Sequence, residues 1–118
     1  MRVEHWTNAA EQGAAAAHNL LATWAGGAGV PYAPVPFFWS DQYDSRFQFV
    51  GRGSGDDAVE VVHGSVAERR FVALYGRAGQ LRGALGLSMP KQLMPYRKLL
   101  AAEATWTEAL GHAANTQV

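Results

Sequence analysis

Along residues 8–24 the apolar positions Ala10, Ala14, Ala17, Leu21 and Trp24 recur at steps of four, three, four and three, the spacing of a single helix face. A helix is predicted there. Asn8 with Glu11 three positions later has the form of a capping box, in which side chains satisfy the free backbone donors at a helix start. Gly26 and Gly27, followed by Gly29 and Pro31, end the helix. Pro31, Pro34 and Pro36 then impose a stiff, extended connector over residues 30–36.

Beyond the connector the period drops to two. Phe47 and Phe49 alternate with Arg46 and Gln48, Val59 and Val61 flank Glu60, and Leu81, Leu85 and Leu87 alternate with polar or small residues. Strands are predicted at 46–51, 58–63, 70–75 and 81–87, with one apolar sheet face and one mixed face. The clusters at 53–57 and 77–80 are turn-forming and of hairpin length, which predicts an antiparallel meander. After a break at 88–90, helical composition returns over about residues 93–110, with Pro95 acceptable in a first turn. The expected class is α+β: an antiparallel sheet of four to five strands between an N-terminal and a C-terminal helix.

Composition narrows the functions. The 118 residues, 48% hydrophobic and 17% charged, suit one globular core. Ten basic and ten acidic residues cancel, so no long-range field favours nucleic acid or an anionic membrane. The stretch 13–43 is nearly uncharged, but His18, Asn19, Asp41 and several glycines and prolines interrupt it, and it is not a membrane span. The opening residues lack a signal-peptide plan, and a cytoplasmic setting is expected. With no cysteine, thiolate metal sites, iron–sulfur ligation and a redox cysteine pair are excluded. Redox work by this chain therefore needs a bound cofactor.

Candidate chemistry is sparse. His5, His18, His63 and His112 are scattered, none at metal-binding spacing; no metal site is expected, and His63, on a strand, is expected at the surface. Gly51, Gly53 and Gly55 alternate without the following helix that a phosphate loop requires. No serine sits in a GxSxG elbow. Asp41 and Asp44 form at most a conceivable acid/base pair. Most distinctive is residues 37–43, Phe37-Phe38-Trp39-Ser40-Asp41-Gln42-Tyr43, with four aromatics in seven positions. Such a segment is either a buried corner of the core or a platform for a flat, hydrogen-bonding ligand.

The run PFFWSDQYDSRFQFVG resembles the C-terminal domain of single-component FAD-dependent NAD(P)H:ferredoxin reductases, and RVEHWTNAAEQGAAAAHNLL resembles the segment just upstream. The resemblance extends from Arg2 to about Leu100; Phe37 stands where many relatives carry Trp, and the tail beyond Leu100 has no counterpart. It implies that residues 1–29 close the FAD-binding domain and 30–118 form the reductase C-terminal α+β domain. In such enzymes one Rossmann unit holds FAD and another NAD(P)H; the GxGxxG loops of both are absent here. The chain is thus expected to be an excised fragment or standalone relative, without catalytic residues of its own and without tight binding of either cofactor. The resemblance places Trp6 and its backbone at the flavin edge, where the positive end of the helix stabilises negative charge on a reduced flavin. It places Trp39 near the stacked flavin and nicotinamide rings, toward the ferredoxin-docking face, with Asp41 and Gln42 holding the backbone of the motif.

The implied partners are the FAD- and NAD-binding domains of the same enzyme and a ferredoxin, with a homodimer possible and neither nucleic acid nor membrane among them. Alternatives stay open at this point. Trp6 could be a hydrophobic staple and Trp39 a core residue, while Trp24 and Trp106 read as packing. A standalone dimerisation or interaction module, or a small-ligand enzyme using Asp41 or Asp44, would also accommodate the pattern.

Overall fold

The computed structural model describes residues 2–117. Its elements are α1 (Trp6–Trp24), β1 (Phe37–Gln42), β2 (Ser45–Gly51), β3 (Ala58–Ser65), β4 (Arg70–Arg77), β5 (Gln80–Leu87), α2 (Pro90–Ala101) and α3 (Trp106–Asn115). The five strands form one antiparallel sheet in the order β1-β2-β5-β4-β3. The α+β expectation holds, and the simple meander does not. Strands β3 to β5 form a meander, but the segment after β2 crosses the ends of β5 and β4 to the far edge instead of closing a hairpin. Asp57 fixes this crossing: its fully buried carboxylate accepts the Ser54 N–H at 2.8 Å and the Arg77 Nε–H at 2.7 Å. Truncating it leaves the part-buried Ser54 N–H without its acceptor and frees Arg77 to water, so Asp57→Ala should cost about 1–3 kcal/mol by chemical denaturation.

The extra strand is β1. The aromatic run 37–42 pairs with β2 from Phe37↔Val50 to Gln42↔Ser45, around a two-residue turn in which Tyr43 takes φ 56°. Most of the alternating apolar residues picked out from the sequence share one sheet face, and it is not the one the helices cover; Leu81, opposite Gly76 beyond a register shift, turns to the helix side and joins the core. Helices α2 and α3 pack on the intervening positions, where Val50, Val72, Leu74 and Ala84 are fully buried with Leu93 and Tyr96 of α2 and Ala109 of α3. Two glycines allow the approach: a Cβ on Gly86 would lie 2.9 Å from Leu93, and one on Gly76 would collide with the Trp106 ring. The opposite face bears Phe38, Phe47, Phe49, Phe71, Tyr75, Val59 and Val61, mostly half-buried or exposed. Both faces are therefore apolar.

The C-terminal helical region is two helices, not one. Helix α2 starts at Pro90, three residues before the expected start, so Pro95 lies in its second turn. A capping box at Thr105 and Glu108 opens α3. Backbone bonds from Leu81 N to Ala104 O and from Trp106 N to Gly79 O pin the break between them to the β4–β5 turn.

Helix α1 starts at Trp6, two residues before Asn8, so the expected capping box does not form. Asn8 instead donates to Val3 O and accepts from the Tyr32 hydroxyl at 2.9 Å, while Glu11 pairs with Arg97 of α2 at 2.9 Å. Asn19 donates to Val30 O and accepts its N–H. These polar residues bring the proline-rich connector back along the inner side of α1. The apolar stripe Ala10, Ala14, Ala17, Leu21 and Trp24 lies on the outer side and is exposed throughout.

Candidate functional site

Strand β1 forms one edge of the sheet, and its alternation sends neighbouring aromatics to opposite faces. Trp39 and Phe37 lie on the helix-bearing side, their rings 5.9 Å apart, with the Arg97 guanidinium 5.6 Å from the centre of the Phe37 ring. Phe38 points to the other face, 5.8 Å from Phe49, which makes an edge contact with Tyr75. The start of α1 straddles this edge. The His5 ring stacks on Phe38 at 4.7 Å, and Trp6 meets Trp39 edge to face at 6.1 Å.

The structure thus brings Trp6 and Trp39 together, although they are far apart in sequence. Neither is core: Trp6 is 74% exposed and Trp39 41%. Beside them the first turn of α1 has no side-chain cap and no acidic residue. Its backbone N–H groups and partial positive charge are open to an anionic or electron-rich ligand edge. Two exposed indoles against a helix start suit one side of a flat aromatic group that gains negative charge. They do not enclose it.

Asp41 and Gln42 act differently from the expectation. Asp41 does not hold the backbone; it faces Arg46 across the hairpin, accepting from Nε and Nη2. The Arg46 hydrogen bonds hold the Asp41 carboxyl below its usual value, outweighing desolvation, with a lesser contribution from the Arg46 charge. A carboxylate so occupied is a poor general base. Gln42 donates to the Ser40 hydroxyl at 2.8 Å. Among the described residues no group of three His, Asp or Glu side chains could hold a metal ion.

Two further expectations are corrected. Trp24 is 86% exposed and does not join the core, unlike Trp106, which lies over Gly76. His63 is buried, because a register shift in β3 turns it toward α2, where it meets the Tyr96 hydroxyl. The period of the strand gave no sign of that shift.

An edge strand bearing exposed aromatics thus lies against an uncapped helix start and is backed by two helices on one sheet face. The chain belongs to the reductase C-terminal family, whose pattern matches residues 37–117. The match runs through α3, so the tail beyond Leu100 has its counterpart in the family after all. Over 106 residues the chain is 37% identical to the ferredoxin–NAD(+) reductase component of the anthranilate 1,2-dioxygenase system of Burkholderia cepacia. That alignment covers 88% of this chain and 24% of the relative. A ferredoxin reductase from Rhodopseudomonas palustris superposes with a TM-score of 0.74 at 38% identity, covering 89% of this chain and 24% of that one. The reductase in a covalent putidaredoxin reductase–putidaredoxin complex superposes at 0.70 with 27% identity, covering 87% and 23%. The chain spans about a quarter of the length of these relatives. No helix among the described residues is long and apolar enough to cross a membrane.

Proposed function

We propose that this chain is the C-terminal part of an FAD-dependent NAD(P)H:ferredoxin reductase of the cytoplasm, in which it supplies one wall of the flavin site and part of the ferredoxin-facing surface. The observation that carries this reading is the Trp6–Trp39 pair beside the open start of α1, on the strand where the family match begins. When bound, FAD supplies hydride acceptance from NAD(P)H and release of single electrons. The residues of this chain do four things around it. The Trp39 ring shields the flavin side from water, and Trp6 holds Trp39 edge-on. The first-turn amides of α1 favour negative charge at the adjoining ring edge. Glu11 and Arg97 tie α1 to α2, so the helix start and β1 keep their relative position.

Exposure along α1 supports the expected domain boundary. Residues 1–29 belong with the FAD-binding domain and 30–118 form the C-terminal domain, a division supported by the outward stripe of α1, with Leu20, Leu21 and Trp24 each more than 60% exposed. An apolar helix face of that kind is a docking surface. Leu21→Gln with Trp24→Gln tests it in the isolated chain. The double variant should stay within about 0.5 kcal/mol of the parent in stability while binding much less of an apolar-surface dye. A loss of stability of several kcal/mol would mean that the stripe packs within this chain and would refute the assignment.

A further inference from the structure

Three elements meet at a buried polar cluster that the flavin-site reading does not use. His63 of β3 is 8% exposed, and its Nε2 lies 2.9 Å from the Tyr96 hydroxyl of α2, which is fully buried. His112, in the last turn of α3, sets its ring edge-on to Tyr96 with centroids 5.3 Å apart. The single phenol therefore touches both imidazoles, one from the sheet and one from the terminal helix.

We propose that His63, Tyr96 and His112 form a proton-sensitive latch that holds α3 on the sheet at neutral pH and releases it on acidification. With His63 neutral, the cluster is one hydrogen bond and two aromatic contacts in a mostly apolar setting. Protonation of His63 places a charge in a buried setting, beside a neutral hydroxyl and the opposing His112 charge, and movement of α3 away from the sheet relieves both penalties. The rest of the hold of α3 on the sheet is made of small side chains and edge contacts: Ala109 and Ala113 are its buried residues, Trp106 and Leu110 pack beside the core, and Gln117 just beyond the helix donates to Val62 O.

The groups around His63 leave the charge uncompensated. Tyr96 is the titratable group that α2 brings to it, and burial pushes that phenol up to about 12, so it stays neutral. From α3 comes His112; Glu108, a turn earlier, is occupied by the Thr105 backbone and hydroxyl. Strand β4 places Val72 opposite His63, and Glu60, on β3 itself, is exposed. Burial, and then the His112 charge, hold the His63 imidazole below its ordinary value of 6.5. The folded pKa is thus depressed, so the stabilising contribution is complete above about 6.5 and is lost as pH falls from there through the lower folded value.

The test follows the histidine ring resonances and the backbone amides of the whole chain by NMR between pH 7.5 and 4.5, with those limits set about the ordinary histidine pKa of ~6.5. His63 should titrate below 6.5, and the amides of Ala109–Asn115 should lose their native shifts with the same midpoint while those of β4 and β5 keep theirs. His112→Gln should move the His63 midpoint back upward and retain more of the α3 signal at low pH. A His63 midpoint at or above 6.5, or α3 amides that stay native until the sheet unfolds with them, would overturn the latch. The wild-type titration decides this even if a variant folds poorly.

Discussion

Leu93→Ala should lower the unfolding free energy by about 2–5 kcal/mol, the range for emptying a fully buried leucine site. Leu93 is 0% exposed and lies against Gly86, where the missing side chain lets α2 sit close to the sheet. The alanine variant keeps the helix but leaves a cavity between α2 and β5, bounded by backbone that has little freedom to collapse. Domains of this size hold only about 5–15 kcal/mol in total, so the loss would shift the urea midpoint markedly. Leu93→Met, which nearly preserves volume, should cost less than about 1.5 kcal/mol. Equal losses for the two variants would show that α2 is seated by something other than this contact.

The second large effect concerns electron transfer. In a reductase carrying this chain as its C-terminal quarter, Trp39→Ala should reduce ferredoxin reduction about tenfold. That corresponds to roughly 1.4 kcal/mol, the scale of one well-placed aromatic contact. Trp39→Phe should retain most of the rate, because a smaller ring still covers the face and still meets Trp6. An unchanged rate in Trp39→Ala, with flavin content also unchanged, would remove Trp39 from the site.

How far the chain could be read before its structure depended on which force acted at each position. The strands at 46–51, 58–63, 70–75 and 81–87 were visible because a half-buried strand repeats every two residues. Their burial was misjudged for the same reason. The visible alternation of Phe47, Phe49, Val59 and Val61 marks the face without helices, while Val50, Val72, Leu74 and Ala84 form the core among glycines that carry no hydrophobic signal. Strand β1 was hidden by its own richness, since aromatics beside Ser, Asp and Gln read as a buried corner of the core or as a ligand platform before they read as a strand. The α2–α3 break was legible in Thr105-Trp106-Thr107-Glu108, which satisfies the capping-box spacing. Asn8 and Glu11 show the same spacing, but there the contacts with Val3, Tyr32 and Arg97 win. Local pattern alone could not rank the two.

At the candidate site, the resemblance singled out Trp6 and Trp39, and no period or spacing linked them. Their contact depends on the proline-rich connector folding back along α1, held by Asn8, Tyr32 and Asn19. His63 was missed because a one-residue register shift moves a side chain to the other face, and nothing local announced the shift in β3.

The most direct test of the account replaces the matching C-terminal quarter of the Burkholderia cepacia reductase component with this chain and measures FAD content together with NADH-dependent reduction of its ferredoxin. The account predicts a flavin-replete hybrid that reduces ferredoxin, and does so about tenfold more slowly when Trp39 is alanine. A folded hybrid that holds FAD in full yet passes no electrons to ferredoxin would contradict it.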